Sequence, residues 1–247
     1  MCKLKEKQQI REEVWEELTR TKSGRFPFPL HGRIPNFKGA ERAAEQLFQL
    51  DIYKKASVVK VNPDSPQLPI RARVIADQKT LLVPTPRLKD GFIIVRPGSV
   101  PAGGERKAAS LKHINAYGEV IPLHELPAID LMLMGSVAVD HNGHRIGKGL
   151  GFADREYGII RELGNKPVPV VTTIHHLQLI DDTLPSETFD VPVDWIITEE
   201  KALHLPEQVK PSGIEWSSIS DDDYVNMPVL QELKQLLKNK NEQSDHT

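Results

Sequence analysis

Apolar residues recur at helical spacing near the start of the chain, among charged neighbours. The apolar positions are Ile10, Val14, Trp15 and Leu18. This pattern predicts an amphipathic helix over residues 5–21. Lys7 and Arg11 are four positions apart and therefore share one face of that helix. The shared face is either solvated or directs two cations at a common anion.

Strand and helix patterns alternate through the rest of the chain. Prolines interrupt residues 26–37, which predicts an extended loop. Helices are predicted over residues 40–50, 67–76 and 154–163. Strands are predicted over residues 57–61, 80–84, 92–96, 118–122, 168–174 and, as the last strand, 195–198. We therefore predict an α/β protein, a three-layer α/β/α fold with a mostly parallel central sheet, in a single domain over residues 1–233. Residues 234–247 are polar and charged, and we expect them to form a disordered tail.

Residues 129–139 form a mostly apolar run, which predicts a central strand covered on both faces. A glycine-rich segment follows this run closely. We therefore expect the glycine-rich segment at the carboxyl side of a strand, where α/β folds bind their ligands.

Charge and cysteine content narrow the class of protein. The 247 residues include 32 Lys and Arg against 34 Asp and Glu, a net charge of −2. This balance does not favour nucleic acid or an anionic membrane as a partner. Cys2, the only cysteine, has no partner for an internal disulfide. The sequence has no apolar run long enough to cross a bilayer, and we expect a cytoplasmic protein.

The richest candidate chemistry lies in Arg145-Ile146-Gly147-Lys148-Gly149-Leu150-Gly151-Phe152-Ala153-Asp154. Glycines let a backbone approach an anion closely, cations neutralise it, and a nearby carboxylate can hold Mg²⁺ against the same oxygens. The spacing fits neither the Rossmann fingerprint nor the P-loop. The alternative is a plain glycine turn between a strand and a helix.

Three further features carry candidate chemistry. Asp190 lies in a polar loop before a strand, where it either binds a ligand or closes a turn. His175 and His176 follow a β-branched strand, and adjacent residues on an extended chain point to opposite faces. We therefore interpret the two histidines as structural or substrate-lining and not as ligands of one metal. Four arginines form either a second anion site or a scattered set of surface charges: Arg33, Arg71, Arg73 and Arg87.

The chain has no Gly-x-Ser-x-Gly elbow, no His-Glu-x-x-His and no paired cysteines, so acyl transfer and structural zinc have no sequence support. Phosphate binding is the candidate chemistry that the sequence still supports. The motifs are Lys7-Gln8-Gln9-Ile10-Arg11, Asp140-His141-Asn142-Gly143, the run from Arg145 to Asp154, and Leu184-Pro185 with Asp190, Asp194 and the strand at 195–198. In this order the motifs resemble those of the 5-formyltetrahydrofolate cyclo-ligases, also called 5,10-methenyltetrahydrofolate synthetases.

The resemblance implies a cyclo-ligase-like (CoA-transferase-like) fold and an ATP- and Mg²⁺-dependent ring closure on a reduced folate. It implies that Lys7 and Arg11 contact nucleotide phosphates, that Arg145 and Asp154 take part in catalysis, and that Asp154 with Asp190 holds Mg²⁺. The residues implied to cradle the nucleotide in the glycine run are Arg145, Gly147, Lys148, Gly149, Leu150, Gly151, Phe152 and Asp154.

The sequence also departs from the family pattern. Phe152-Ala153 replaces a Tyr-Tyr pair, Leu150 replaces a basic residue, and residues 62–67 replace a segment with a folate-contacting Glu. With these departures the chain is similar to a divergent branch, the synthetase-domain-containing proteins. The alternatives for this branch are another substrate, such as a thiamine-related metabolite, or a non-catalytic nucleotide- or RNA-associated protein.

Overall fold

The computed structural model describes residues 6–244 and contains an eight-stranded mixed sheet. The strands in chain order are β1 Gly24–Arg25, β2 Asn36–Phe37, β3 Val58–Val61, β4 Thr80–Pro84, β5 Phe92–Val95, β6 Glu119–Ile121, β7 Leu131–Leu133, β8 Ala138–Asp140, β9 Arg145–Ile146, β10 Val170–Thr173, β11 Leu179–Ile180, β12 Trp195–Ile197 and β13 Ala202–His204. The order in the large sheet is β13-β12-β10-β7-β3-β4-β5-β6. The five strands from β12 to β4 pair in parallel, and the three outer pairs are antiparallel. The predicted mostly parallel sheet is confirmed.

Helices cover both faces of this sheet. They are α1 Lys7–Arg20, α2 Ala40–Gln49, α3 Asp51–Lys55, α4 Leu68–Ala76, α5 Glu105–Ala108, α6 Phe152–Glu162, α7 Asp221–Asn226 and α8 Val229–Ser244. Side chains of β4 alternate between the two cores, because Leu81 and Val83 pack with α2 and α4 while Leu82 packs with α6 and α8. The predicted three-layer α/β/α architecture is therefore confirmed.

The apolar run at residues 129–139 is not one strand, and this prediction is wrong. It divides into β7 in the large sheet and β8 in a separate three-stranded sheet of order β11-β8-β9. The turn between them includes Gly135, where a Cβ atom would lie 2.9 Å from the Ile34 side chain. Both strands are buried, β8 partly against α1, so apolar residues continue on both sides of the break at Gly135-Ser136.

The carboxyl-terminal predictions also need correction. Strand β13 follows β12 and pairs with it, so the strand predicted at 195–198 is not the last one. The expected disordered tail is helical as far as Ser244, because α8 spans Val229–Ser244. Leucines at helical spacing hold this polar segment on the core: Leu230, Leu233, Leu236 and Leu237. Residues 245–247 lie outside the described part, as do Cys2 and Lys5, and the single domain over 1–233 stays a prediction.

The remaining predicted elements match helices or strands at their positions. The strand at 80–84 has the predicted bounds, α2 begins at the predicted residue, and α1 and α2 each end one residue before the predicted end. Residues 26–37 form the expected irregular segment, apart from the two residues of β2. Within residues 6–244, we find no helix that combines the length and the apolarity needed to span a bilayer.

Candidate functional site

The glycine-rich segment connects β9 to α6 and turns through two left-handed glycines. Gly149 has φ +101°, and Gly151, at the N-cap of α6, has φ +66°. Side-chain-bearing residues rarely adopt such angles, so glycine is needed at both positions. The turn presents the first backbone N–H groups of an 11-residue helix, which form the positive end of its dipole. Helix ends of this kind bind phosphate groups.

Arg145 ties the two ends of this loop together. It is 4% exposed, and its Nη2 donates to Asp154 Oδ1 at 2.6 Å while Nη1 donates to the carbonyl of Gly135 at 2.9 Å. Asp154 Oδ1 also accepts the N–H of Val191 at 3.0 Å. The Nε of Arg145 is buried without a hydrogen-bond partner among the described residues. A buried donor without an acceptor is costly in a folded protein and is a feature expected where a bound anion completes the site.

The amino-terminal helix docks onto the same loop. Arg11 Nε donates to the carbonyl of Gly147 at 2.7 Å, and Lys7 Nζ lies 2.5 Å from Asp190 Oδ2. Burial lowers the pKa of Arg11, and the carboxylate of Asp190 opposes that shift. The structure therefore brings together the cationic face of α1, the glycine loop and Asp190, although they are far apart in sequence.

A cavity of about 530 Å³ opens beside the loop. Its inner wall is formed by the segments that follow β3, β4 and β7, represented by Asn62, Thr85 and Gly135. The loop contributes Lys148, Leu150, Phe152, Ala153 and Asp154, among others. Lys148 Nζ reaches across to Asp64 Oδ1 at 3.1 Å. The volume is in the range of sites for one small ligand.

Arg11 of α1 contacts the loop and Lys7 pairs with Asp190, but none of these three residues lines the cavity. Asp154, by contrast, lines the cavity, and its side chain is 16% exposed. Asp190 Oδ2 is engaged by Lys7 and by the N–H of Glu187 at 2.7 Å. The glycine turn and the unpaired Nε of Arg145 fit a phosphate chain, and carboxylate oxygens of the Asp154 type are ligands that Mg²⁺ prefers. A metal role for Asp154 and Asp190 stays a prediction.

The four arginines considered as a second anion site separate into two groups. Arg33 and Arg87 line the cavity. Arg71 is 2% exposed and donates to the backbone carbonyls of Asn62, Asp64 and Ala109, so it supports the cavity wall from behind. Burial lowers the pKa of Arg71 to about 10, and Asp64 opposes this shift. Arg73 pairs with Asp77 on α4 and its following turn, outside the cavity lining.

The expectation that His175 and His176 point apart is wrong. The chain leaves the extended conformation after β10, and His175 caps a short 3₁₀ turn over His176–Gln178. The two rings lie 4.2 Å apart between centroids, and both contact the carboxylate of Glu199. These donor atoms lie within 4.8 Å of one another, close enough to share a cation. However, His175 Nδ1 accepts the N–H of Leu177, which leaves Nε2 as the protonated nitrogen facing Glu199. The cluster is therefore held as a hydrogen-bonded structural unit.

Sequence reasoning missed two charged residues beside the cavity. Lys60 lies in the central strand β3 and is 0% exposed, and Glu156 lies in α6 and lines the cavity. Lys60 Nζ donates to Glu156 Oε2 and, at 2.6 Å, to Asn62 Oδ1. The available signal was a lysine inside the β-branched run predicted as a strand at residues 57–61. No local pattern identified its partner, which is 96 positions away.

Comparisons with known proteins agree with this architecture. A model of the 5-formyltetrahydrofolate cyclo-ligase family matches residues 3–199. The fold and the glycine loop thus define a protein of the cyclo-ligase class, and the chain belongs to the 5-formyltetrahydrofolate cyclo-ligase family.

Within that family, the chain is similar to methenyltetrahydrofolate synthase domain-containing proteins. It is 42% identical to the one from Bos taurus over 92% of this chain and 62% of the bovine protein. It is 39% identical to the one from Homo sapiens over 92% of this chain and 61% of the human protein. The chain thus spans about three fifths of the length of these relatives. The 5-formyltetrahydrofolate cyclo-ligase of Escherichia coli K12 is 34% identical, over 34% of this chain and 42% of that enzyme.

The fold also matches a solved structure. The NMR structure of Aquifex aeolicus 5,10-methenyltetrahydrofolate synthetase superposes with a TM-score of 0.52 at 20% identity, over 85% of this chain and 97% of the other. At this identity the match concerns the fold alone.

Proposed function

We propose that the protein is an ATP- and Mg²⁺-dependent 5-formyltetrahydrofolate cyclo-ligase or a close variant, which forms 5,10-methenyltetrahydrofolate, ADP and phosphate. One observation carries this proposal. The glycine loop between Arg145 and Asp154 is tied at both ends, docked on Arg11 of α1, and open to a ligand-sized cavity. Membership in the cyclo-ligase family supports the choice of reaction.

The residues are suited to phosphoryl transfer. In the proposed reaction the γ-phosphoryl group moves to the formyl oxygen on N5, N10 attacks the activated carbon, and phosphate leaves with that oxygen. Negative charge spreads over the phosphoryl oxygens during the transfer and must be neutralised by fixed groups. Arg145, Lys148 and the amino terminus of α6 supply positive charge beside the cavity. Mg²⁺ held by Asp154, which lines the cavity, would add further neutralisation when bound.

The direct test measures ATP hydrolysis by the purified protein with and without 5-formyltetrahydrofolate, together with formation of the methenyl product. We expect turnover only when ATP, Mg²⁺ and the folate are all present. Asp154→Ala should abolish turnover or weaken Mg²⁺-ATP binding, with an unchanged circular dichroism spectrum. Intact ATP binding without folate-dependent turnover in the wild type would reject the cyclo-ligase reaction. Full affinity and activity in Asp154→Ala would reject its metal role.

A second candidate is a protein of the same architecture that acts on another metabolite, such as a thiamine-related compound. It is favoured by Phe152 and Ala153, which line the cavity without the hydroxyl groups of the Tyr-Tyr pair expected from the family pattern. A thermal-shift screen of phosphorylated metabolites separates the two candidates. A ligand at 100 times its dissociation constant adds about 2.7 kcal/mol of apparent stability, which is readily detected. Stabilisation by folates alone would remove the second candidate.

A further inference from the structure

A second concavity, of about 900 Å³, lies on the surface at α7 and α8. It shares no lining residue with the cavity beside the glycine loop. We call it the α7–α8 groove, and its lining includes Trp216, Asp221, Val225, Lys234 and Lys238. All of these residues follow the segment that matches the cyclo-ligase family model. The proposed reaction therefore does not account for this groove.

The groove exposes apolar surface. Val225 is 77% exposed, and the aromatic side chains of Trp216 and Tyr224 are only partly buried. Tyr224 also lines the groove, and Lys234 Nζ lies 5.6 Å from the centroid of its ring. Aromatic residues are enriched where proteins contact one another, and charged groups surround such contacts. The composition of the α7–α8 groove is thus that of a protein–protein contact.

The two helices bring opposite charges to the groove. Lys234 and Lys238 are four positions apart and lie on one face of α8. Asp221 lies in the first turn of α7, beside the exposed Asp222, and it shares one face of α7 with Val225. Neither aspartate forms an ion pair with either lysine, although Asp221 and both lysines line the same groove. The charges of both signs are therefore available to an occupant.

This arrangement of charge selects the occupant. An acidic peptide would neutralise the lysines of α8 but would be repelled by the aspartates of α7, and a basic peptide would have the reverse difficulty. A second copy of this chain carries both signs on the same surface. Two-fold symmetry places the acidic end of α7 in each copy against the basic face of α8 in the other. The same contact covers the exposed Val225 of both copies.

We propose that the chain forms a homodimer through the α7–α8 groove, with α7 of each copy packed against α8 of the other. The aspartates of one copy pair with the lysines of the second copy, and symmetry repeats this contact. Two helix faces form a small interface, and exposed ion pairs each contribute little, so the dimer is weak and forms at micromolar concentrations. The dimer does not depend on the proposed reaction.

The test measures the sedimentation velocity of the full chain over a concentration series at low ionic strength. Lys234→Glu with Lys238→Glu makes both sides of the groove acidic. Asp221→Lys with Asp222→Lys makes both sides basic. Each double variant alone should self-associate about 10- to 100-fold more weakly than the wild type. An equimolar mixture of the two should associate again, because opposite charges then face each other at both symmetric contacts.

The matched control is Lys54→Glu with Lys55→Glu, which changes the net charge by the same amount as the lysine variant of α8. Both lysines are exposed on α3, and α3 packs on the opposite face of the large sheet from α8. This control should associate as the wild type does. Far-UV circular dichroism checks that each variant keeps its helices.

A second comparison covers the case in which the aspartate variant loses α7, since acidic residues in the first turn favour a helix. Val225→Ser removes apolar surface from the groove, whereas Val209→Ser changes a side chain that is 95% exposed and lies outside the groove lining. Only Val225→Ser should weaken association, by about tenfold or more.

Wild-type protein that remains monomeric at every concentration overturns the proposal. Unchanged association in the lysine variant of α8 or in Val225→Ser also overturns it. So does an equal loss in the control on α3, or a mixture of two folded charge-reversed variants that does not associate. Concentration-dependent dimerisation that is lost in each variant and recovered in their mixture supports the second copy as the occupant.

Discussion

Replacing Gly149 with alanine tests the conformation of the glycine loop. Gly149 has φ +101°, and a Cβ atom there would lie 3.3 Å from Arg11 Cζ. The guanidinium can move by a few tenths of an ångström, so backbone strain is the larger effect. A side-chain-bearing residue held in such a conformation costs about 1–3 kcal/mol. If the strained conformation is the one that binds nucleotide, the affinity for nucleotide decreases about tenfold for each 1.4 kcal/mol of strain.

The assay compares Gly149→Ala with Gly164→Ala by isothermal titration with Mg²⁺-ATP and by thermal unfolding. Gly164 also has a left-handed φ, +94°, and follows the far end of α6. Apart from Gly164 itself and its two chain neighbours, no atom of the described residues lies within 4 Å of the place that a Cβ would take. We expect both variants to lose stability, while only Gly149→Ala loses affinity, by roughly 5- to 100-fold. Equal losses of affinity in the two variants, or unchanged affinity in Gly149→Ala, would refute the assignment of the loop to nucleotide binding.

Three further predictions concern stability. Leu18→Ala removes a fully buried side chain from the core beneath α1 and should lower the free energy of unfolding in urea by about 2–5 kcal/mol. Its control, Leu150→Ala, changes a side chain that is 56% exposed and should alter that free energy by less than about 0.5 kcal/mol. Similar losses in the two variants would contradict the packing described for α1. In Arg71→Lys, the lysine cannot bond all three carbonyls that Arg71 bonds, so the free energy of unfolding should decrease by at least about 2 kcal/mol in the same assay. A decrease below about 0.5 kcal/mol would argue against the supporting role of Arg71. Burial lowers the pKa of His175, so the unfolded chain takes up a proton first and stability is lost as the pH falls below about 6.5. His175→Asn keeps an acceptor at the N-cap and should reduce the decrease in Tm between pH 7.5 and 5.5, whereas an equally steep decrease in the variant would contradict this assignment.

Periodicity in the sequence predicted the elements whose two sides differ in polarity. Helix α1 has one apolar face among charged residues, and its carboxyl end was predicted within one residue. The run at 129–139 gave no such contrast, because β7 and β8 are both buried on all sides in different sheets. The helix α8 was missed because its composition is polar, although its leucines follow a helical spacing.

The sequence by itself determined the α/β class, the glycine loop and the family, because these depend on local spacing and on the order of motifs along the chain. Only the tertiary structure decided which distant groups meet. Arg11 reaches the loop 136 positions away, Lys60 meets Glu156 across the sheet and helix interface, and His175 and His176 converge on Glu199. The physical reason is that these contacts depend on how strands and helices pack and on where the chain turns. The order of side chains along the sequence specifies neither the packing nor the turns.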